Sequence, residues 1–114
     1  MSNPVTRALS VREREVLEAV VRRAEGKYPG LTAQLAHLTV VGTCGCGCPT
    51  IYFGQQEKGS GIEVVADVGV RGTHDAILLY VSDHGDLDSL EYVWTGDEIP
   101  VEFPPPARLG SDNG

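Results

Sequence analysis

No apolar run in this sequence approaches the ~18 residues that a membrane-crossing helix needs, so no membrane partner is expected. The nucleophile elbow Gly-x-Ser-x-Gly, the Walker A phosphate loop and the dinucleotide-binding glycine pattern are all missing. Gly59-Ser60-Gly61 is too short a glycine run to cradle a phosphate. With none of the catalytic signatures in place, a non-enzymatic role is the expectation. There is no internal repeat, which excludes solenoids and propellers. Met1 to Ser10 holds one arginine and no continuous apolar stretch behind it, unlike a secretory leader, so a cytoplasmic location is expected. Positive charge is scarce beyond residue 30: three cations stand there against twelve carboxylates, a net of −9. A nucleic-acid binder gains affinity from cations that displace counterions from phosphate, and this acidic stretch would repel DNA and RNA.

What is present fits one small domain. The 114 residues are 41% hydrophobic and 22% charged, enough apolar content for one modest core. The formal net charge is −7, although residues 1–30 alone carry +2.

Ser10 and Glu13 form the pattern of a capping box, a hydroxyl at the N-cap and a carboxylate three residues on. Val16, Leu17, Val20, Val21 and Ala24 then recur at helical spacing, which predicts an amphipathic helix over 10–25. Pro29-Gly30 breaks it, and Leu31, Leu35 and Leu38 fit a second, short helix. The remainder reads as strands. Leu38 to Gly42 and Thr50 to Phe53 are short apolar runs, and a flexible loop is expected over Gly54 to Gly61. Ile62, Val64, Ala66 and Val68 alternate, which places them on one face of a strand. Ala76 to Val81 is continuously apolar, the pattern of a central strand covered on both sides. Leu90, Tyr92 and Trp94 line a last strand. Connections this short cannot hold helical crossovers, so the sheet must be mostly antiparallel. The expected fold is therefore α+β: an N-terminal amphipathic helix packed on a sheet of about five strands. Residues 1–106 form the domain. The tail from Pro100, which carries Pro104-Pro105-Pro106, is not expected to pair as a strand, and 107–114 reads as disordered.

The three cysteines, Cys44, Cys46 and Cys48, fall within five residues and alternate with Gly45 and Gly47. In an extended strand the period of two would put all three thiols on one side. The glycines equally allow the backbone to curl until the sulfurs converge on one point, while Pro49 restrains Cys48 toward an extended conformation. Thiolates suit soft or borderline ions such as zinc and copper(I). Zinc would need a fourth ligand, and His37, His74 or His84 could supply it. His74 and His84 are ten residues apart and would lie ~30 Å from each other on a straight strand, so they do not share one site. Two other readings stand beside metal binding. Adjacent thiols can close a Cys-x-Cys disulfide and leave one free, or the cysteines can be small apolar residues in a glycine-rich turn between strands.

A second cluster runs over Asp83-His84-Gly85-Asp86-Leu87-Asp88. It departs from the EF-hand order and lacks its closing glutamate, and its composition is that of a solvated hairpin turn. Asp83, His84, Asp86 and Asp88 are the candidate surface for a protein partner.

The segment Leu87-Asp88-Ser89-Leu90-Glu91-Tyr92, followed by Gly96-Asp97-Glu98 and Glu102-Phe103-Pro104, resembles the closing segment of small uncharacterised bacterial and phage proteins. The run around Cys46-Gly47-Cys48-Pro49 is similar to that of small actinobacterial domains of unknown function. This likeness covers about a third of the chain. It implies a fold type and a high-GC bacterial or phage source, and it carries over no activity. The leading functional expectation is a small non-enzymatic protein-interaction module. The alternatives are a small metal-binding protein that uses the Cys44–Cys48 run, with zinc as the candidate ion, and a thiol redox protein.

Overall fold

The structure, a computed structural model, describes residues 7–53 and 62–112. The expected loop at Gly54 to Gly61 lies outside the described residues. Helix α1 spans Val11–Ala24. Ser10 Oγ accepts the Glu13 amide at 3.1 Å, and Glu13 Oε1 accepts the Ser10 amide at 2.8 Å, so the capping box closes in both directions. The apolar stripe Val16, Leu17, Val20, Val21 and Ala24 is fully buried. A second helical segment follows, α2 at Leu31–Gln34 with a 3-10 turn at Leu35–His37, and it buries Leu31 and Leu35. Glu25 at the end of α1 accepts the amides of Gly30 at 2.6 Å and Thr32 at 2.8 Å, which fixes the turn between the two helices.

The strands are β1 Gly42–Thr43, β2 Ile51–Tyr52, β3 Ile62–Val70, β4 Ala76–Ser82, β5 Leu87–Val93 and β6 Leu109–Asp112. They form one antiparallel sheet in the order β1-β2-β5-β4-β3-β6. The fold is thus α+β with a helix on an antiparallel sheet, and the sheet has six strands rather than five. The additional strand is β6. Residues 107–112 are not a disordered tail: Pro106–Arg108 makes a 3-10 turn, and Leu109–Asp112 pairs with β3. Leu109 drives this, being 2% exposed, and burial of one large apolar side chain stabilises by ~1.5–3 kcal/mol. The prolines only prevent pairing where they stand. Pro104 is buried, and the chain regains amide donors after Pro106.

Two further expectations are corrected by register. Ile62, Val64, Ala66 and Val68 do not share a face, because β3 carries a bulge between Val64 and Ala66. Val65 is the extra residue. Ala66 and Val68 pack in the core at 4% and 0% exposure, whereas Ile62 and Val64 are 48% and 44% exposed. Strand β4 is not covered on both sides either. Ile77, Leu79 and Val81 are buried beneath the helical layer, and Ala76, Leu78 and Tyr80 are only half-buried on the opposite face. Among the described residues the helices form a single layer, and the second face of this central strand has no comparable cover.

Candidate metal centre

The cysteine run is the connection between β1 and β2, at one edge of the sheet. The flanking residues register Gly42 with Tyr52 and Thr43 with Ile51. Inside that frame the Cys44 amide donates to the Thr50 carbonyl at 3.4 Å and the Gly47 amide to the Cys44 carbonyl at 3.4 Å. Gly47 adopts φ +93°, a left-handed conformation that turns the chain back before Cys48. Thr50, which is buried, anchors the loop to the sheet by accepting the Tyr92 amide on its Oγ1 at 3.0 Å. Neither this anchor nor the left-handed glycine was singled out in the sequence. A threonine ahead of a strand signals nothing by itself, and which of two glycines turns left-handed is decided by the hairpin that encloses them.

Of the two geometries the glycines allow, the convergent one is found. The Sγ atoms of Cys44, Cys46 and Cys48 lie within 4.8 Å of one another. Cys44 Sγ and Cys46 Sγ are 2.9 Å apart. Accessibility is graded: Cys46 is exposed, Cys44 half-buried and Cys48 buried, and all three are free thiols. Two thiolates on one tetrahedral zinc, each at about 2.3 Å, are roughly 3.8 Å apart, a spacing that lies between the 2.9 Å of the Cys44–Cys46 pair and the 4.8 Å bound on the cluster. Tyr52 flanks the cluster. Burial, followed by the fields of Cys44, Glu91, Cys48 and Asp88, pushes its phenol above the ordinary tyrosine value.

None of the histidines joins the sulfurs among the described residues. His37 ends the 3-10 turn after α2, His74 sits in the turn between β3 and β4, and His84 in the turn between β4 and β5; all three are exposed. His84 Nε2 instead faces Asp83 Oδ1 at 3.6 Å. The separation argued for His74 and His84 holds, since they flank opposite ends of β4.

The acidic segment is a structured hairpin turn. Gly85 has φ +83°, and Ser82 Oγ accepts the amides of His84 at 3.2 Å and Asp86 at 3.3 Å. Gln34 clamps the turn from α2: its Nε2 donates to the Gly85 carbonyl at 2.9 Å, and its Oε1 accepts the Leu87 amide at 2.7 Å. Asp83, His84 and Asp86 are exposed, as a contact surface requires. Asp88 is 5% exposed and does not belong to that surface. It is the extra residue of a bulge in β5, where Tyr80 pairs with Ser89 and Val81 with Leu87. Its side chain accepts from Ser89 Oγ at 3.1 Å, and its carbonyl accepts the Phe53 amide at 2.7 Å.

The fold and the cluster together define the class: a small α+β domain that displays three convergent thiols on an edge hairpin. No helix among the described residues is long and apolar enough to cross a membrane. No family model matches the chain, and neither a curated protein nor a solved structure matches it.

Proposed function

We propose that the chain is a small, non-enzymatic metal-binding protein that holds a soft or borderline cation, zinc or copper(I), through Cys44, Cys46 and Cys48. The observation that carries this reading is the convergence of all three sulfurs within 4.8 Å on a loop anchored to the sheet. Thiolate is the ligand type that selects such ions over magnesium or calcium. A cytoplasmic setting belongs to the same proposal, because a reducing compartment keeps thiols available. A protein-interaction role has less to support it, since its candidate surface at Asp83, His84 and Asp86 has lost Asp88 to the sheet interior.

The test is metal content and thiol reactivity measured together, on protein purified under reducing conditions without a histidine tag and then offered zinc(II) or copper(I). Near one ion per chain is expected, with thiols that stay unreactive until a chelator is added. Three reactive thiols and no retained ion would overturn the proposal.

A thiol redox role has its own observation in the 2.9 Å contact between Cys44 and Cys46.

A further inference from the structure

We propose that Cys44 and Cys46 form a reversible disulfide that spares Cys48, and that this pairing governs whether the cluster can hold its ion; the second clause rests on the metal-binding reading above. Three thiols could pair in three ways, and the structure distinguishes them. Cys44 Sγ and Cys46 Sγ are already 2.9 Å apart, so closing to a bond of about 2.05 Å needs roughly 0.9 Å of movement. Gly45 lies between them, and a Cβ placed there would meet nothing within 4 Å, so the backbone has room to adjust. Cys46 is exposed and open to an oxidant, while Cys48 is buried at 8% exposure and lies beyond the left-handed reversal at Gly47.

The oxidant fitting this geometry is a small-molecule disulfide of the glutathione type. The Cys46 thiolate attacks one of its sulfurs, breaking the S–S bond and expelling one thiolate, which takes up a proton. The Cys44 thiolate then attacks Cys46 Sγ of the mixed disulfide and expels the second thiolate. The protein loses two protons and two electrons, and the small disulfide gains both to become two thiols. Two of the three ligands are thereby consumed. Cys48 alone cannot retain the ion, and an ion bound to all three sulfurs blocks the attack, so oxidation and metal binding oppose each other reciprocally.

The experiment treats the reduced, metal-free full chain with excess oxidised glutathione and then alkylates it in denaturant. The expected product is monomeric, lacks two hydrogens, carries one alkyl group on Cys48, and shows the Cys44–Cys46 link on fragmentation. Cys48→Ser should oxidise at a similar rate, whereas Cys44→Ser and Cys46→Ser should close a disulfide at least tenfold more slowly. A link that includes Cys48, a disulfide between chains, or no disulfide overturns the proposal, and mapping of the unmutated chain decides this even where a serine variant misfolds. Offered zinc(II) or copper(I), the oxidised chain should bind at least tenfold more weakly than the reduced one, and equal binding overturns the control of occupancy. A reduced chain that takes no ion yet closes the Cys44–Cys46 bond overturns the metal reading alone and leaves a dithiol redox pair.

Discussion

The Arg7 guanidinium holds both oxygens of the Glu13 carboxylate, Nη1 to Oε1 at 2.7 Å and Nη2 to Oε2 at 2.9 Å. The same carboxylate closes the capping box of α1, so it ties the segment ahead of the helix to its first turn. Burial pushes the Glu13 carboxyl up, but the hydrogen bonds from Arg7 and Ser10 outweigh it and hold it below the usual carboxylate range. A lowered folded value means stability that is present above the unfolded value of about 4.3 and lost as pH falls through the folded one. Glu13→Gln should cost about 1 kcal/mol at pH 7. In urea melts across pH, that deficit should shrink below pH ~4 as the native carboxylate protonates. A deficit that stays constant from pH 7 to 3 would count against the ion pair.

The bulge in β3 separates residues that simple alternation would group. Ile62→Thr and Val64→Thr should change stability by no more than about 0.5 kcal/mol. Leu79→Ala, across the bulge from them and fully buried, should cost about 2–5 kcal/mol. Chemical denaturation midpoints at unchanged m-value would show the contrast, and comparable losses at Val64 and Leu79 would contradict the register.

Strand β6 offers the sharpest test of the C-terminal segment. Leu109→Ala should destabilise by about 2–5 kcal/mol. Deleting residues 107–114 should cost at least as much, since it also strips β3 of its outer partner. A truncated chain with the parent melting temperature would restore the tail to disorder.

Tyr80 Oη donates to Glu91 Oε1 at 2.7 Å and Tyr92 Oη to Asp75 Oδ2 at 2.7 Å. Burial first, and then the adjacent carboxylate, pushes both phenols up to about 12. For an acid with a raised folded value, the stabilisation is full below the unfolded value of about 10 and is lost as pH rises toward 12. Ultraviolet titration should find at least two tyrosines, Tyr80 and Tyr92, still mostly protonated at pH ~11. Glu91→Gln should lower the Tyr80 value and Asp75→Asn the Tyr92 value. Four tyrosines titrating together near the ordinary value would exclude both contacts.

Gly47 and Gly45 should differ as mutation sites although both flank cysteines. Gly47 has φ +93° and Gly45 has no positive φ. An alanine at 47 strains the reversal by about 1–2 kcal/mol, which would weaken ion binding by roughly 5- to 30-fold if the cost falls on the clustered conformation. Gly45→Ala should leave affinity within about twofold. Competition titration with a chromogenic chelator reads both, and equal effects would mean that the turn does not organise the sulfurs.

Local sequence determined those features that neighbouring residues settle among themselves. The α1 cap needs only Ser10 and Glu13, its buried stripe needs only a 3.6-residue period, and short connections make the β1–β2, β3–β4 and β4–β5 pairs antiparallel. The proximity of the cysteines is likewise a matter of five consecutive residues. What the tertiary structure decided are the features set by a partner distant in the chain. The bulges at Val65 and Asp88 arise from pairing across strands, and a one-residue offset moves every later side chain to the other face. That is why Ile62 and Val64 are exposed and why Asp88 left the acidic turn for the interior. Leu109 makes a strand only because β3 offers it an edge and the core a place for its side chain. The three sulfurs face one another for a related reason: the β1–β2 pairing and the Thr50 anchor fix the ends of a loop whose glycines would otherwise permit an extended run equally well.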